Sequence, residues 1–348
     1  MWSWKQVWWP VAKALIALAI VLAVGWRFAS ILRRPELWER PLNPRYDWLA
    51  LGGLTYLLGL GFSAYFWYRL LAAVGEQPWV LATVRAYYIG HMGKYVPGKA
   101  WGLLLRTGLL TSSGVRPSVA AMTATYETLT TMASGALVAA VLLALVALDE
   151  AKTWWSLGLF VLVAVPLLPV FFNPLMRLVT GIAGRAAQRF GGNTGAVALP
   201  AVRLPTLLGG LAITAGGWAL LGLSLLTVLH AMLPVSVPWT LELWARCTAF
   251  AALAWVAGFM FIPSPGGMGV REAVLEQMLK PEIARLAPGE NATFWAIIVV
   301  LVLRLLWTLA EIIMVLLVRW WPVGGCQPAA PAACPPGQPV SQPLIADS

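Results

Sequence analysis

Charge is the scarcest property of this sequence. Of 348 residues, 11% are Asp, Glu, Lys or Arg and 60% are hydrophobic. Soluble proteins carry about 25% charged residues, so the chain cannot clothe a soluble surface. Acids are scarcer than bases, 14 against 24. The three aspartates, Asp47, Asp149 and Asp347, stand far apart, whereas a metal-dependent transferase groups its carboxylates around one cation. His91 and His230 form no HExxH pair, and Cys247, Cys326 and Cys334 form no CxxC. Neither a zinc site nor a disulfide framework is expected. A GxxxxGK[ST] phosphate loop is also missing. The expectation is therefore no metal, no cofactor and no catalytic residue. The net charge of +10 does not indicate nucleic-acid binding, because the bases are spread over short loops between apolar runs. Such a bias is what membrane orientation requires.

What the sequence does hold is 20 Trp, 32 Gly and 25 Pro. Aromatics collect at membrane interfaces, and Gly and Pro are tolerated in spanning helices. A span needs about 20 apolar residues. Runs of that kind lie at 9–31, 48–74, 119–148, 154–172, 205–231, 243–263 and 293–318. The expected fold is an all-α, polytopic helix bundle of seven or eight spans over 1–321. A Pro/Ala-rich tail, 322–348, is too poor in core-forming residues to fold. The first run follows Lys5 and is read as a retained signal anchor. The glycine pairs Gly52-Gly53, Gly209-Gly210 and Gly216-Gly217 mark close helix contacts.

Two stretches break the pattern. Residues 80–113 contain Gly90-His91-Met92-Gly93-Lys94-Tyr95-Val96-Pro97-Gly98-Lys99, and residues 262–285 begin Ile262-Pro263-Ser264-Pro265-Gly266-Gly267-Met268-Gly269-Val270-Arg271-Glu272. Broken backbone at membrane depth survives only inside protein or beside a wet cavity. Both stretches read as re-entrant or broken helices, one in each half, each followed by an arginine (Arg106, Arg271). Paired interruptions of this kind point to a transporter's binding site and to an internal repeat. Charge bias raises a conflict. Residues 173–203, with four Arg and no acid, belong in the cytoplasm, and so by charge does 27–47 with five Arg. A re-entrant 80–113 puts these two loops on opposite sides, and a single crossing puts them on the same side.

Ionisable residues within spans face a cavity or a partner. Here they are Lys94, Lys99, Arg106, Glu127, Arg246, Arg271, Glu272, Arg304 and Glu311. Broken-helix N–H groups and these cations together suit an anion, most simply a phosphate. In a bilayer that phosphate belongs to a lipid headgroup, with Glu127, Glu272 and Glu311 orienting the cations. Simpler readings stand beside this one. Lys94 and Lys99 can mark the water interface. Arg271 and Glu272 can cap a surface helix, and Arg304 with Glu311, two turns apart, can hold helix packing. His91 is either a proton-linked switch or a structural histidine. His230 and Arg246 are read as structural or interfacial.

The run Tyr88 to Trp101, with Arg106 and the mid-helix acid Glu127, resembles the first signature of the lysylphosphatidylglycerol synthase transmembrane (flippase-like) family. Pro265-Gly266-Gly267-Met268-Gly269-Val270-Arg271-Glu272 resembles its second. The resemblance spans roughly residues 9–320 and lacks the aminoacyltransferase domain of some relatives. It implies a multi-pass protein of the bacterial inner membrane that translocates polar lipids: a phospholipid, a hopanoid or a polyprenyl-linked lipid. The substrate-binding set is then Lys94, Pro97, Gly98, Lys99, Arg106, Glu127, Pro265, Gly266, Gly267, Gly269, Arg271 and Glu272, with His91, Arg304 and Glu311 secondary. Two alternatives remain: an integral-membrane transferase using Glu127 or Glu272 as base, and a non-catalytic membrane subunit that holds a glycosyltransferase.

Overall fold

A computed structural model describes residues 43–95, 100–146, 201, 203–261, 267 and 269–321, with isolated positions between 158 and 178. The expected first span, most of the fourth, most of the basic loop 173–203 and the tail from 322 lie outside the described residues. So do Pro97, Gly98, Lys99, Pro265 and Gly266. The described helices are α1 Tyr46–Ala73, α2 Val80–His91 with a 3-10 turn Met92–Tyr95, α3 Ala100–Thr111, α4 Pro117–Leu145, α5 Leu204–Met232, α6 Leu241–Met260, α7 Val270–Leu286 and α8 Ala292–Val318.

Five of these, α1, α4, α5, α6 and α8, are long and apolar enough to cross a membrane, where the sequence runs place them. Their starts follow local chemistry. Pro117 and Pro205 occupy first-turn positions, where a missing N–H costs nothing. The Thr240 hydroxyl accepts from the Leu243 N–H, and the Asn291 side-chain Oδ1 accepts from the Phe294 N–H. Leu54, Leu58, Leu305, Leu309 and Leu316 stay exposed, as lipid-facing positions of a spanning bundle do.

α1 and α5 are antiparallel. Thr227 lies against Gly52, Gly217 against Gly59, and Phe66 against Gly210. At the crossing, a Cβ on Gly217 would stand 2.8 Å from the Gly59 carbonyl oxygen, and one on Gly59 would stand 3.0 Å from that of Gly217. Both glycines sit at the middle of their helices, so only hydrogen side chains let the backbones cross there.

The segment after α1 is a re-entrant hairpin. α2 and α3 have 12 residues each, about 18 Å, too short for a hydrocarbon core of about 30 Å. Gly90 faces Gly102 and Arg106, and Gly93 faces Trp101 and Gly102, so the arms are antiparallel. Arg116 Nε donates to Glu76 Oε1 at 2.6 Å, which ties the hairpin's entry to its exit at one membrane face. α6 and α7 form a second hairpin: Gly258 lies against Gly267 and Arg271, and Arg246 meets Glu282 at 3.2 Å. α7 carries polar and charged residues throughout and is not a span.

Because α5 runs opposite to α1, the second hairpin enters from the opposite face. Each half is thus a long helix, a hairpin and a long helix, and the halves are inverted, although the first arm of the second hairpin, α6, has 20 residues and is itself long enough to cross. Of the two basic loops only the ends are described: Arg45 before α1 and Arg203 before α5 lie at opposite faces.

Candidate functional site

Described residues that flank the turns of the two hairpins come together at Trp255. On the first hairpin, His91 stacks between Tyr87 (ring centroids 6.0 Å) and Trp255 of α6 (6.2 Å). Lys94 Nζ lies 5.6 Å from the Trp255 ring centre and donates to Glu311 of α8. The same carboxylate accepts from Tyr56 of α1 and, at 2.8 Å, from the Tyr95 hydroxyl, which also lies 3.1 Å from Thr308 Oγ1. His91 Nε2 is 3.5 Å from Glu311 Oε1. Glu311 is 2% exposed, so it holds the first tip against α8 from inside the protein.

On the second hairpin, Arg304 Nε donates to Glu272 Oε1 at 2.6 Å. Glu272 Oε2 also accepts from the Gly269 N–H at 2.5 Å, capping α7. Arg304 and Glu311 do not pair as a packing device within α8. They share one face, and each reaches a different hairpin, so α8 joins both. Gly267 and Gly269 have φ of 72° and 87°, the left-handed region that disfavours any side chain. A Cβ on Gly267 would also stand 2.7 Å from the Gly258 carbonyl oxygen.

Both hairpins repeat one local device. Arg106 lies with its Cζ 4.1 Å from the ring centre of Tyr87, and Arg271 with its Cζ 3.7 Å from that of Trp255. Each aromatic stands three residues before the glycine that admits the returning arm (Tyr87/Gly90, Trp255/Gly258). The two arginines differ in their partners. Arg106 Nη1 donates to Glu127 Oε2 at 2.7 Å, and both residues are buried. Thr131 and Thr128 also donate to Glu127, at 3.1 and 3.3 Å. Arg271 is 6% exposed, and its Nε and Nη1 have no hydrogen-bond partner among the described residues.

The structure therefore gathers Lys94, His91, Arg271, Glu272, Arg304 and Glu311 into one cluster around Trp255, with Arg271, Glu272 and Glu311 buried and the other three half-buried. It sets Arg106 and Glu127 beside that cluster as a closed pair. Gly267 and Gly269 shape the second tip without offering a side chain. His230 stacks on Trp239 at 4.2 Å, and Arg246 pairs with Glu242 and Glu282, away from this cluster. Sequence reasoning missed Tyr56 and Trp255. The aromatic-x-x-Gly spacing shared by the two hairpins was the available signal for Trp255, whereas Tyr56 sits in an ordinary apolar run. No group of His, Cys, Asp and Glu among the described residues can hold a metal.

No curated protein matches the chain. The model of one protein family, described as the lysylphosphatidylglycerol synthase TM region, matches residues 14–306.

Proposed function

As a member of the lysylphosphatidylglycerol synthase TM region family, the chain is a multi-pass membrane protein of a lipid-related family, and we propose that it translocates a polar, anionic lipid between leaflets. The headgroup passes where the hairpin tips meet, while the acyl chains stay in the bilayer. One observation carries this reading: two hairpins from opposite faces come together at Trp255 beside Lys94 and Arg271. Inverted repeats with broken helices at the midplane are how many transporters place their substrate sites. Opening either side requires only that one tip leave α8, through Lys94–Glu311 or through Glu272–Arg304.

The activity is transport, not chemistry, and its partners are membrane lipids. The bacterial inner membrane is its proposed location. Arg116 pairs with Glu76 just beyond the end of α1, and Arg69, Arg203 and Arg319 stand near helix ends at the same face. By charge bias that face is cytoplasmic, so the first hairpin opens to the cytoplasm and the second to the outside.

Proteoliposomes with a fluorescent anionic lipid in both leaflets test the reading. A membrane-impermeant quencher should reach inner-leaflet probe through the wild type and not through Lys94→Ala/Arg271→Ala. Equal scrambling by both, or none by the wild type, contradicts it.

A further inference from the structure

The two hairpins are joined by a chain of flat groups in contact. Arg106 lies over the Tyr87 ring, and Tyr87 and His91 are parallel to within 14°. His91 and Trp255 are also parallel to within 14°, and Arg271 lies over Trp255. His91 is the middle member. It belongs to the first hairpin, and its contact with Trp255 is a seam between the two. The transport reading uses Lys94 at this seam and gives the histidine no task.

Hydrogen bonding decides which form of His91 fits. Its Nε2 lies 3.1 Å from Lys94 Nζ. Lys94 donates to Glu311, and an ammonium group has donors only. Nε2 must therefore accept, which puts the ring proton of a neutral imidazole on Nδ1. A second proton, on Nε2, would set two donors and two positive charges against each other across those 3.1 Å. Glu311 has little room to absorb the change. Its Oε1, 3.5 Å from Nε2, already accepts from Lys94 and Tyr56, and its Oε2 accepts from Tyr95. The described charged and titratable groups around His91 come from every packed element. They are Lys94 and Tyr95 on its own turn, Tyr87 and Tyr88 on α2, Arg106 on α3, Glu127 on α4, Tyr56 on α1, Arg271 and Glu272 on α7, and Arg304 and Glu311 on α8. α6 adds the neutral Trp255. Four cations already stand against three anions in this set, and a charged His91 would widen the excess.

We propose that His91 is a proton-binding site that controls docking of the first hairpin. The hairpin docks on Trp255 and Glu311 with His91 neutral, and a proton taken up by the released histidine keeps it undocked. A histidine in water gains its proton at about pH 6.5. Below that pH the released form binds one proton more than the docked form. Docking is therefore at full strength above about pH 6.5 and weakens as pH falls, by about tenfold in its equilibrium constant per pH unit. The ligand is the proton itself, and no lipid takes part in the step. The site deepens the transport reading by naming what regulates release of the first hairpin. It rests on that reading only for the consequence to lipid movement.

Spin labels on Met92→Cys, in the turn of the first hairpin, and on Leu309→Cys, exposed on α8, test this in the full chain carrying Cys247→Ala, Cys326→Ala and Cys334→Ala. Pulsed electron resonance reads the distance between the labels at a series of pH values on either side of the histidine range. The expected result is one short distance at the alkaline end and a second, longer distance whose share grows below about pH 6.5. His91→Gln can accept from Lys94 through its amide oxygen and takes up no proton in this range, so it should keep the short distance throughout. A wild-type distribution that does not change with pH overturns the proposal, even where His91→Gln fails to fold. A wild-type pH response in His91→Gln overturns it too, because another group then carries the proton. A pH-dependent distance in a protein that translocates no lipid would sink the transport reading and leave this site standing. Lipid translocation with a pH-independent distance would do the reverse.

Discussion

Arg106 and Glu127 come from different helices and lie 2.7 Å apart with almost no exposure. Removing one partner of a buried pair typically costs about 3–5 kcal/mol, because the other charge is left unpaired. Glu127→Gln should therefore destabilise the protein by about that much. Arg106→Gln/Glu127→Gln should be less damaging than the sum of its single changes. A double-mutant cycle by thermal unfolding in detergent checks this, and strict additivity would show that the pair is not coupled. The charged residues themselves were readable, because an ionisable group inside an apolar run stands out. Their partners were not. Sequence spacing suggested Arg304 with Glu311, yet Arg304 holds Glu272 and Glu311 holds Lys94, since a helix face reports direction and not the neighbour it meets.

At the scale of the element, the hairpins depend on backbone that only glycine allows. Gly267 combines a φ of 72° with a Cβ position 2.7 Å from the Gly258 carbonyl oxygen. Gly267→Ala should cost about 1–3 kcal/mol in backbone strain, and more from the clash. Thermal unfolding should show that loss, while Gly108→Ala, on α3 with open space around its Cβ position, should change stability little. Equal effects would mean that the second tip is not held as described. The five long helices were evident from apolar run length, because a bilayer needs that length. The sense of 80–113 was not, because one crossing and one return use similar composition. Long-range contacts decided it: Glu76 with Arg116, and Gly90 and Gly93 with the returning arm.

At the scale of the molecule, the halves are inverted, and the hairpins open to opposite faces. In a background without Cys247, Cys326 and Cys334, cysteines at Gln77 and Ser112 should react with an impermeant thiol reagent from one side. Cysteines at Ser236 and Pro288 should react only from the other. All four positions are exposed. Labelling of Gln77 and Ser112 from different sides would mean that α2 and α3 cross the membrane together. The inversion left only a faint trace in the sequence, two Gly/Pro interruptions followed by arginines, because antiparallel halves share a plan of contacts more than a string of residues.

The most direct test joins the tips to the activity. His91 and Trp255 stack with ring centroids 6.2 Å apart, so His91→Cys/Trp255→Cys should be bridged by a short, cleavable bifunctional thiol reagent. Lipid translocation in proteoliposomes should then fall to the protein-free rate and recover when the bridge is cleaved. A bridge that forms in high yield and leaves translocation unchanged would contradict passage of the headgroup between the tips, and failure to form any bridge would contradict their meeting.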